Sequence, residues 1–216
     1  MIPKVFHFIW VGDPMPDHLA GYVATWNQVH PDWAMIVWDE ERLDATLDRT
    51  LDLFRRAPDL TAHVGQFRSD VARYELLWRF GGVYVDCDFE AVRPIDPLIE
   101  QQVAGGQMFA AWEVDGVWVN NAIIGAPAGI SVLDAVIDGL AANVAAHPSA
   151  RPNVQTGPQY FTPIVRRHRG AVRVFPSAWF YPYRWDELDR QGDEFPDAYA
   201  IHHWDNARKR RAARAW

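Results

Sequence analysis

Asp86 and Asp88 stand one residue apart after the short apolar run Val83-Tyr84-Val85. Strand alternation there predicts both carboxylates on one face, with Cys87 and Phe89 on the other. Side chains at i and i+2 are roughly 6.5–7 Å apart, a spacing that suits a divalent cation shared with a ligand oxygen. Hard cations of the Mg²⁺ kind take oxygen ligands, commonly one or two carboxylates plus substrate phosphates. Aspartate is also an ordinary turn residue, so the pair alone has a plainer explanation. A second charged pair strengthens the case. Phe67, Val71, Tyr74, Leu77 and Trp78 recur at helical spacing as one apolar stripe. At about 100° per residue, Asp70 falls inside that stripe and Arg73 on its edge. A surface i, i+3 ion pair is worth only a few tenths of a kcal/mol, whereas a charge on a packing face is costly unless paired. Together, the four residues predict a cation–diphosphate site at a strand's carboxyl end, where open α/β sheets place their ligands.

The elements that must position these residues are legible around them. Residues 4–11 form an apolar run bounded by Pro3 and Gly12-Asp13-Pro14, which predicts a buried first strand ending near Trp10. A helix is expected over Asp17–Val29, with Leu19, Tyr22, Val23 and Trp26 on one side, and a second strand at Met35–Trp38. Residues 40–62 alternate helical patterning with breaks, and Gly81-Gly82 stops the helix that carries Asp70 and Arg73. This strand–helix–strand rhythm predicts a Rossmann-like half with a mainly parallel sheet. There is no GxGxxG, so it is not a dinucleotide fingerprint. Further on, Met108–Trp112 and Val117–Gly125 read as two strands with a turn at Asp115-Gly116. Ser131 reads as the cap of a scaffold helix that stops at His147-Pro148. Glu113 and Asp115 read as an exposed turn. The aromatic- and proline-rich stretch 172–185 reads either as an acceptor surface or as a packed lid.

The strings Ser69-Asp70-x-x-Arg73-Tyr74 and Gly81-Gly82-Val83-Tyr84-x-Asp86-x-Asp88 resemble the core signature of the DXD sugar-binding glycosyltransferases. That family includes initiating α-1,6-mannosyltransferases, capsular polysaccharide transferases and, distantly, the clostridial glucosylating toxins. The resemblance extends to the opening Ile2-Pro3-Lys4-x-x-His7-x-Ile9-Trp10 and, more loosely, to Tyr199-Ala200-Ile201-His202-His203-Trp204. It implies a single GT-A (Rossmann-like) α/β domain over 1–216, a mixed, mainly parallel sheet flanked by helices. Residues 1–100 would be the sugar-nucleotide half, 101–207 the acceptor half and 208–216 a basic tail.

The resemblance further implies a metal-dependent, retaining hexosyltransferase acting in glycan or polysaccharide biosynthesis. Its donor would be a UDP- or GDP-hexose, its acceptor a saccharide or lipid-linked saccharide, and its cofactor Mn²⁺ or Mg²⁺. Trp10 would stack on the base and Ser69 contact the ribose, while Asp70 and Arg73 hold sugar hydroxyls. Tyr84 and Asn121 would line the donor pocket, and Asp86, Asp88 and His202 would hold the metal. His202 is preferred to His203, which faces the other way if the segment is a strand. Thr156-Gly157-Pro158 matches a family turn expected at donor or acceptor. Asp205-Asn206-Ala207-Arg208 departs from the family's Ser-Trp ending and leaves late diphosphate contacts open.

Composition narrows the alternatives. The 216 residues fit one domain with a substantial core, and 49% hydrophobic with 23% charged residues is ordinary for a globular chain. A net charge of −7 argues against a nucleic-acid binder. Five of the 21 basic residues lie in the last nine, which predicts a tail able to touch anionic lipid or a solvated helix end. The single cysteine fits a reducing compartment. With no signal-peptide layout and no long apolar run, the expectation is a cytoplasmic enzyme. Two rivals remain. A haloacid-dehalogenase-like phosphatase would use Asp86 as nucleophile and Asp88 as acid/base. A non-catalytic sugar- or lipid-binding module would use the eleven tryptophans and the basic tail.

Overall fold

In a computed structural model, residues 1–213 are described. The chain runs β1 (Val5–Ile9), α1 (Asp17–Val29), β2 (Ala34–Trp38), α2 (Glu40–Thr46), α3 (Leu51–Leu60), α4 (Val64–Phe80) and β3 (Gly82–Val85). It continues through β4 (Phe89–Ala91), α5 (Asp96–Gln102), the hairpin β5 (Met108–Val114) and β6 (Trp118–Ala126), and α6 (Ser131–Ala146). Then follow α7 (Pro152–Gln155), α8 (Pro158–Arg167), β7 (Val172–Phe175), β8 (Ala200–His202) and α9 (Asp205–Ala213). Six strands form one sheet in the order β2-β1-β3-β6-β5-β7, while β4 and β8 form a separate antiparallel pair. β1 is parallel to both β2 and β3, and β7 is parallel to β5; β6 runs antiparallel to β3 and β5.

Period-two alternation splits the core across this sheet. Phe6, Phe8, Val83 and Val85 face one side and pack with Val23 and Trp26 of α1. Tyr84 and Ile124 face the other, with Phe67, Val71 and Leu77 of α4 and Leu133, Val136 and Leu140 of α6. Most expected elements are found, α1 with the same limits. Two differ. Ser131 is the first residue of α6 rather than its cap, and Ile130, which has no capping side chain, precedes it. α4 is buried almost all round rather than along a stripe, because α3, α6, β3 and β6 pack about it. Its Glu75, which no periodicity singles out, accepts the amides of Asp48, Arg49 and Thr50 and the Thr50 hydroxyl. Glu75 thereby ties the start of α3 to α4.

The α4–β3 joint requires both glycines. Gly81 and Gly82 have φ of 64° and 96°, and a Cβ on Gly82 would lie 2.6 Å from the Val5 carbonyl oxygen. The Gly81 carbonyl accepts a hydrogen bond from His7 Nε2 (2.9 Å), while Trp38 Nε1 donates to His7 Nδ1 (3.0 Å). This fixes a neutral tautomer and makes His7 a packing residue. His30 is held the same way: Nδ1 faces the Trp26 carbonyl and Nε2 accepts the Ile95 amide.

Burial lowers the pKa of both histidines against the smaller raising effect of their carbonyl partners. The folded chain therefore binds fewer protons at these rings than the unfolded chain does, and stability is lost as pH falls below about 6.5. A His30→Gln chain should lose less stability than wild type in urea melts between about pH 7.5 and 5.5; equal losses would remove His30 from the account.

Candidate active site

β1 and β3 lie side by side, with Phe6 opposite Val83 and His7 opposite Tyr84, so Trp10 and Asp86 leave the sheet at the same edge. The expected alternation through Asp88 is not what aims the carboxylates. β3 ends at Val85, and Asp86 to Phe89 form a turn closed by the Phe89 amide on the Asp86 carbonyl (3.1 Å). The turn draws the two acids closer than an extended strand would. Ligand-capable atoms of Asp86, Asp88 and His202 all lie within 4.8 Å of one another. Cys87 points the other way into the core, with its Sγ on the Ile9 carbonyl.

The β4–β8 pair delivers the histidine by setting Phe89 opposite His202. The His203 amide donates to the Asp88 carbonyl, and the Asp205 amide, at the start of α9, donates to Asp88 Oδ2 (2.9 Å). His203 faces away: its Nε2 meets Glu90 (2.9 Å), its Nδ1 meets the Tyr183 hydroxyl, and its ring stacks on Tyr22.

Arg73 underlies the carboxylates. It is buried, and its NH2 lies 3.0 Å from Asp70 Oδ1 and 3.1 Å from Asp86 Oδ1. NH1 donates to the Asn121 carbonyl (2.7 Å), Nε donates to the Ser69 carbonyl (3.1 Å), and the guanidinium lies over the Tyr84 ring. Asp70 also accepts from Asn121 Nδ2 (2.9 Å) and the Thr156 hydroxyl (2.8 Å). Burial pushes the Asp70 carboxyl up to about 6 despite Arg73 beside it. Asp86 is also raised, by burial and by Asp88, against Arg73. Asp88 is held down at about 2, since His202 and the Asp205 amide outweigh its burial. One guanidinium thus faces Asp70 and Asp86, while Asp88 is met by His202 and the Asp205 amide, so two carboxylates and an imidazole converge at the cleft.

The residues present fit a divalent cation. His202 is buried, and among the described residues neither of its ring nitrogens has a hydrogen-bond partner; Nε2 sits 3.1 Å from Asp88 Oδ1 without hydrogen-bond alignment. A buried imidazole of this kind beside two carboxylates is an N,O donor set for a divalent metal.

The site opens into a cleft of about 1200 Å³ that Trp10, Ser69, Asp70, Arg73, Asn121 and the three metal-ligand candidates all help to line. Tyr84 does not. It is buried beneath the floor, where its hydroxyl donates to Asp86 Oδ1 (2.5 Å). Asn121 spends Nδ2 on Asp70 and the Tyr74 hydroxyl, so its Oδ1 is what remains to offer the cleft. Thr156 is buried on Asp70. Glu113 corrects an expectation: instead of an exposed turn residue it is half-buried at the cleft wall, where it accepts from Asn120 Nδ2 (2.9 Å). Burial raises its pKa. Only its position on an apolar strand hinted at this.

The architecture is that of the GT-A glycosyltransferases. It matches the PaToxG glycosyltransferase at a TM-score of 0.63 and 14% identity, covering 77% of this chain and 70% of that one. It matches the galactosyltransferase LgtC, solved in complex with donor and acceptor sugar analogs, at 0.57 and 12%, covering 92% and 86%. Residues 16–104 match the family model described as the glycosyltransferase sugar-binding region containing DXD motif, the motif here being Asp86-Cys87-Asp88. The resemblance read from the sequence is borne out over this segment. Inositol phosphoceramide mannosyltransferase 1 of Schizosaccharomyces pombe is 30% identical over 104 residues, which are 46% of this chain and 32% of that protein. The match thus spans about a third of the curated relative's length. Trp10, Asn121 and His202 lie outside the segment matched by the family model, so their placement rests on geometry.

Removing the guanidinium leaves the buried Asp70 and the half-buried Asp86 without their cationic partner. Arg73→Ala should cost about 3–5 kcal/mol in denaturant melts, and Arg73→Lys should recover only part of it, since one ammonium cannot reproduce the fork. A loss below about 1 kcal/mol for the alanine variant would show that water reaches the cluster.

Proposed function

We propose that the chain is a metal-dependent, retaining glycosyltransferase that moves a hexose from a UDP- or GDP-sugar to a saccharide or lipid-linked acceptor in glycan biosynthesis. The observation that carries this is the Asp86–Asp88–His202 cluster, with ligand atoms within 4.8 Å, at the carboxyl edge of the parallel strands. Asp86, Asp88 and His202 would hold a divalent cation, Mn²⁺ or Mg²⁺, which would supply Lewis-acid neutralisation of diphosphate charge. Arg73 and Tyr84 both engage Asp86 Oδ1, which fixes the carboxylate and leaves Oδ2 for ligand. Trp10 stacks on the base, a role supported by its position on the cleft wall with Nε1 donating to the Asp13 carbonyl (2.6 Å). Ser69 faces the ribose, and Asn121 Oδ1 with the edge of Asp70 meets sugar hydroxyls.

Arg73 acts mainly from below, because its donors are spent on protein. No side chain is assigned as nucleophile. Retention follows from departure and attack on one face, with the leaving phosphate taking the acceptor's proton.

The phosphatase reading has no observation in its favour. Its catalytic lysine would have to be Lys4, which pairs with Asp96, or Lys209, which pairs with Asp205. Among the described residues no helix is long and apolar enough to cross a membrane. A cytoplasmic setting with the basic tail on anionic lipid is part of the same proposal, motivated by the unpaired Cys87 and by that tail's charge. Residues 214–216 of the tail, and its side chains from Arg210 onward, lie outside those described.

Calorimetric titration of UDP- and GDP-hexoses, with and without Mn²⁺, is the direct test. Binding should require metal, disappear in Asp88→Ala and His202→Ala, and identify the base. Saturating Mn²⁺ alone should raise the wild-type melting temperature by about 5–10 °C and leave both variants unmoved. Metal-independent donor binding, or phosphomonoester turnover without donor binding, would refute the assignment.

A further inference from the structure

The donor-site residues use only part of the cleft. Its volume of about 1200 Å³ exceeds the roughly 300–1,000 Å³ typical of a single-ligand pocket. Beyond Asn121 the wall contains Glu113, Trp118 and Trp185. Both tryptophans are conspicuous for their exposure, 36% and 50%, in a chain that buries Trp26, Trp33 and Trp38.

Each stands on a pinned backbone. Trp118 opens β6 opposite Val114, and the hairpin tip beside it is held by Arg166 on the Gly116 and Val117 carbonyls. Trp185 lies between Arg184 and Asp186, whose side chains pair at 3.0 and 3.1 Å, while the Arg184 amide donates to Glu187. Tyr183, one residue earlier, is buried against His203. Two large rings are therefore held out in solvent by structure that does not otherwise need them. Glu113 is oriented by Asn120 through Oε2, and Oε1 remains for a donor from the cleft.

We infer that Trp118, Trp185 and Glu113 form the acceptor subsite, and that its occupant is a neutral sugar ring. The C–H faces of such a ring pack on indole by dispersion, and a ring hydroxyl donates to Glu113. An anionic headgroup fits less well, because Glu113 has Asp186 as a charged neighbour and Arg184 is already paired with Asp186. The inference rests on the glycosyltransferase reading but concerns a different part of the cleft, so the two can fail separately.

Saturation-transfer NMR with methyl α-mannopyranoside, methyl β-galactopyranoside and mannose 6-phosphate, in the presence of Mn²⁺ and nucleoside diphosphate, tests it. At least one neutral glycoside should bind. Trp118→Ala and Trp185→Ala should each weaken that binding about five-fold or more, with Trp185→Phe retaining most of it. Nucleoside diphosphate affinity, measured by calorimetry on the same variants, should stay within about two-fold of wild type and reports on the donor site separately. Neutral-sugar binding unchanged in both alanine variants, binding of the phosphorylated sugar alone, or no sugar binding at all would overturn the inference. Because both tryptophans are exposed, loss of fold is not the expected consequence of replacing them.

Discussion

The buried charge balance around Arg73 is the constraint on which the rest of the site depends. A guanidinium removed from water must be met by partners that hold its geometry, and removing either partner is more damaging than never having built the pair. Here the partners come from three elements: Asp70 and the Ser69 carbonyl on α4, Asp86 after β3, and the Asn121 carbonyl on β6. Thr156, before α8, closes the set through Asp70. Arg73 therefore sets the relative positions of the helix, the central strand and the antiparallel strand beside it. The same arrangement sets Asp86 beside Asp88 and His202, the group whose ligand-capable atoms lie within 4.8 Å of one another. Stability and the candidate site share one set of atoms.

The middle of the chain was the most legible part of the sequence, for identifiable reasons. Asp70 stood out because it broke an apolar period, and the Gly81-Gly82 stop announced a turn that side chains could not enter. Spacing correctly grouped Asp86 with Asp88 but assigned the wrong local geometry. A turn and an alternating strand can both place i and i+2 on one side, and only hydrogen bonding distinguishes them. The rings of His202 and His203 diverge because the segment is a strand up to His202: His202 turns to Asp88 and His203 to Glu90.

What was not legible depended on packing between distant segments. Glu75 looked like any helix-surface acid; its role exists only because the α2–α3 loop presents three amides to it. Tyr84 was expected to line the donor pocket, yet its alternation sends it under the sheet beside α4. Glu113 was read as part of a turn because Asp115-Gly116 follows it, whereas the turn begins after Val114. Thr156 reads as a loop residue in sequence and serves as a buried hydrogen-bond donor in space.

The third metal-ligand candidate arrives last. Asp88 and Asp205, whose amide caps it, are 117 residues apart, and His202 is set opposite Phe89 by the short β4–β8 pair. Such a long closure costs ordering entropy with few local contacts to offset it. The two-carboxylate half of the site is therefore built into the central sheet, while the imidazole half is held by a three-residue ribbon and the first turn of α9. Binding energy from a cation shared between the halves would stabilise the closed arrangement over any opened one. The ribbon, rather than the sheet, would then be the element through which occupancy of the candidate site bears on the C-terminal segment, because β8 brings His202 against the carboxylates.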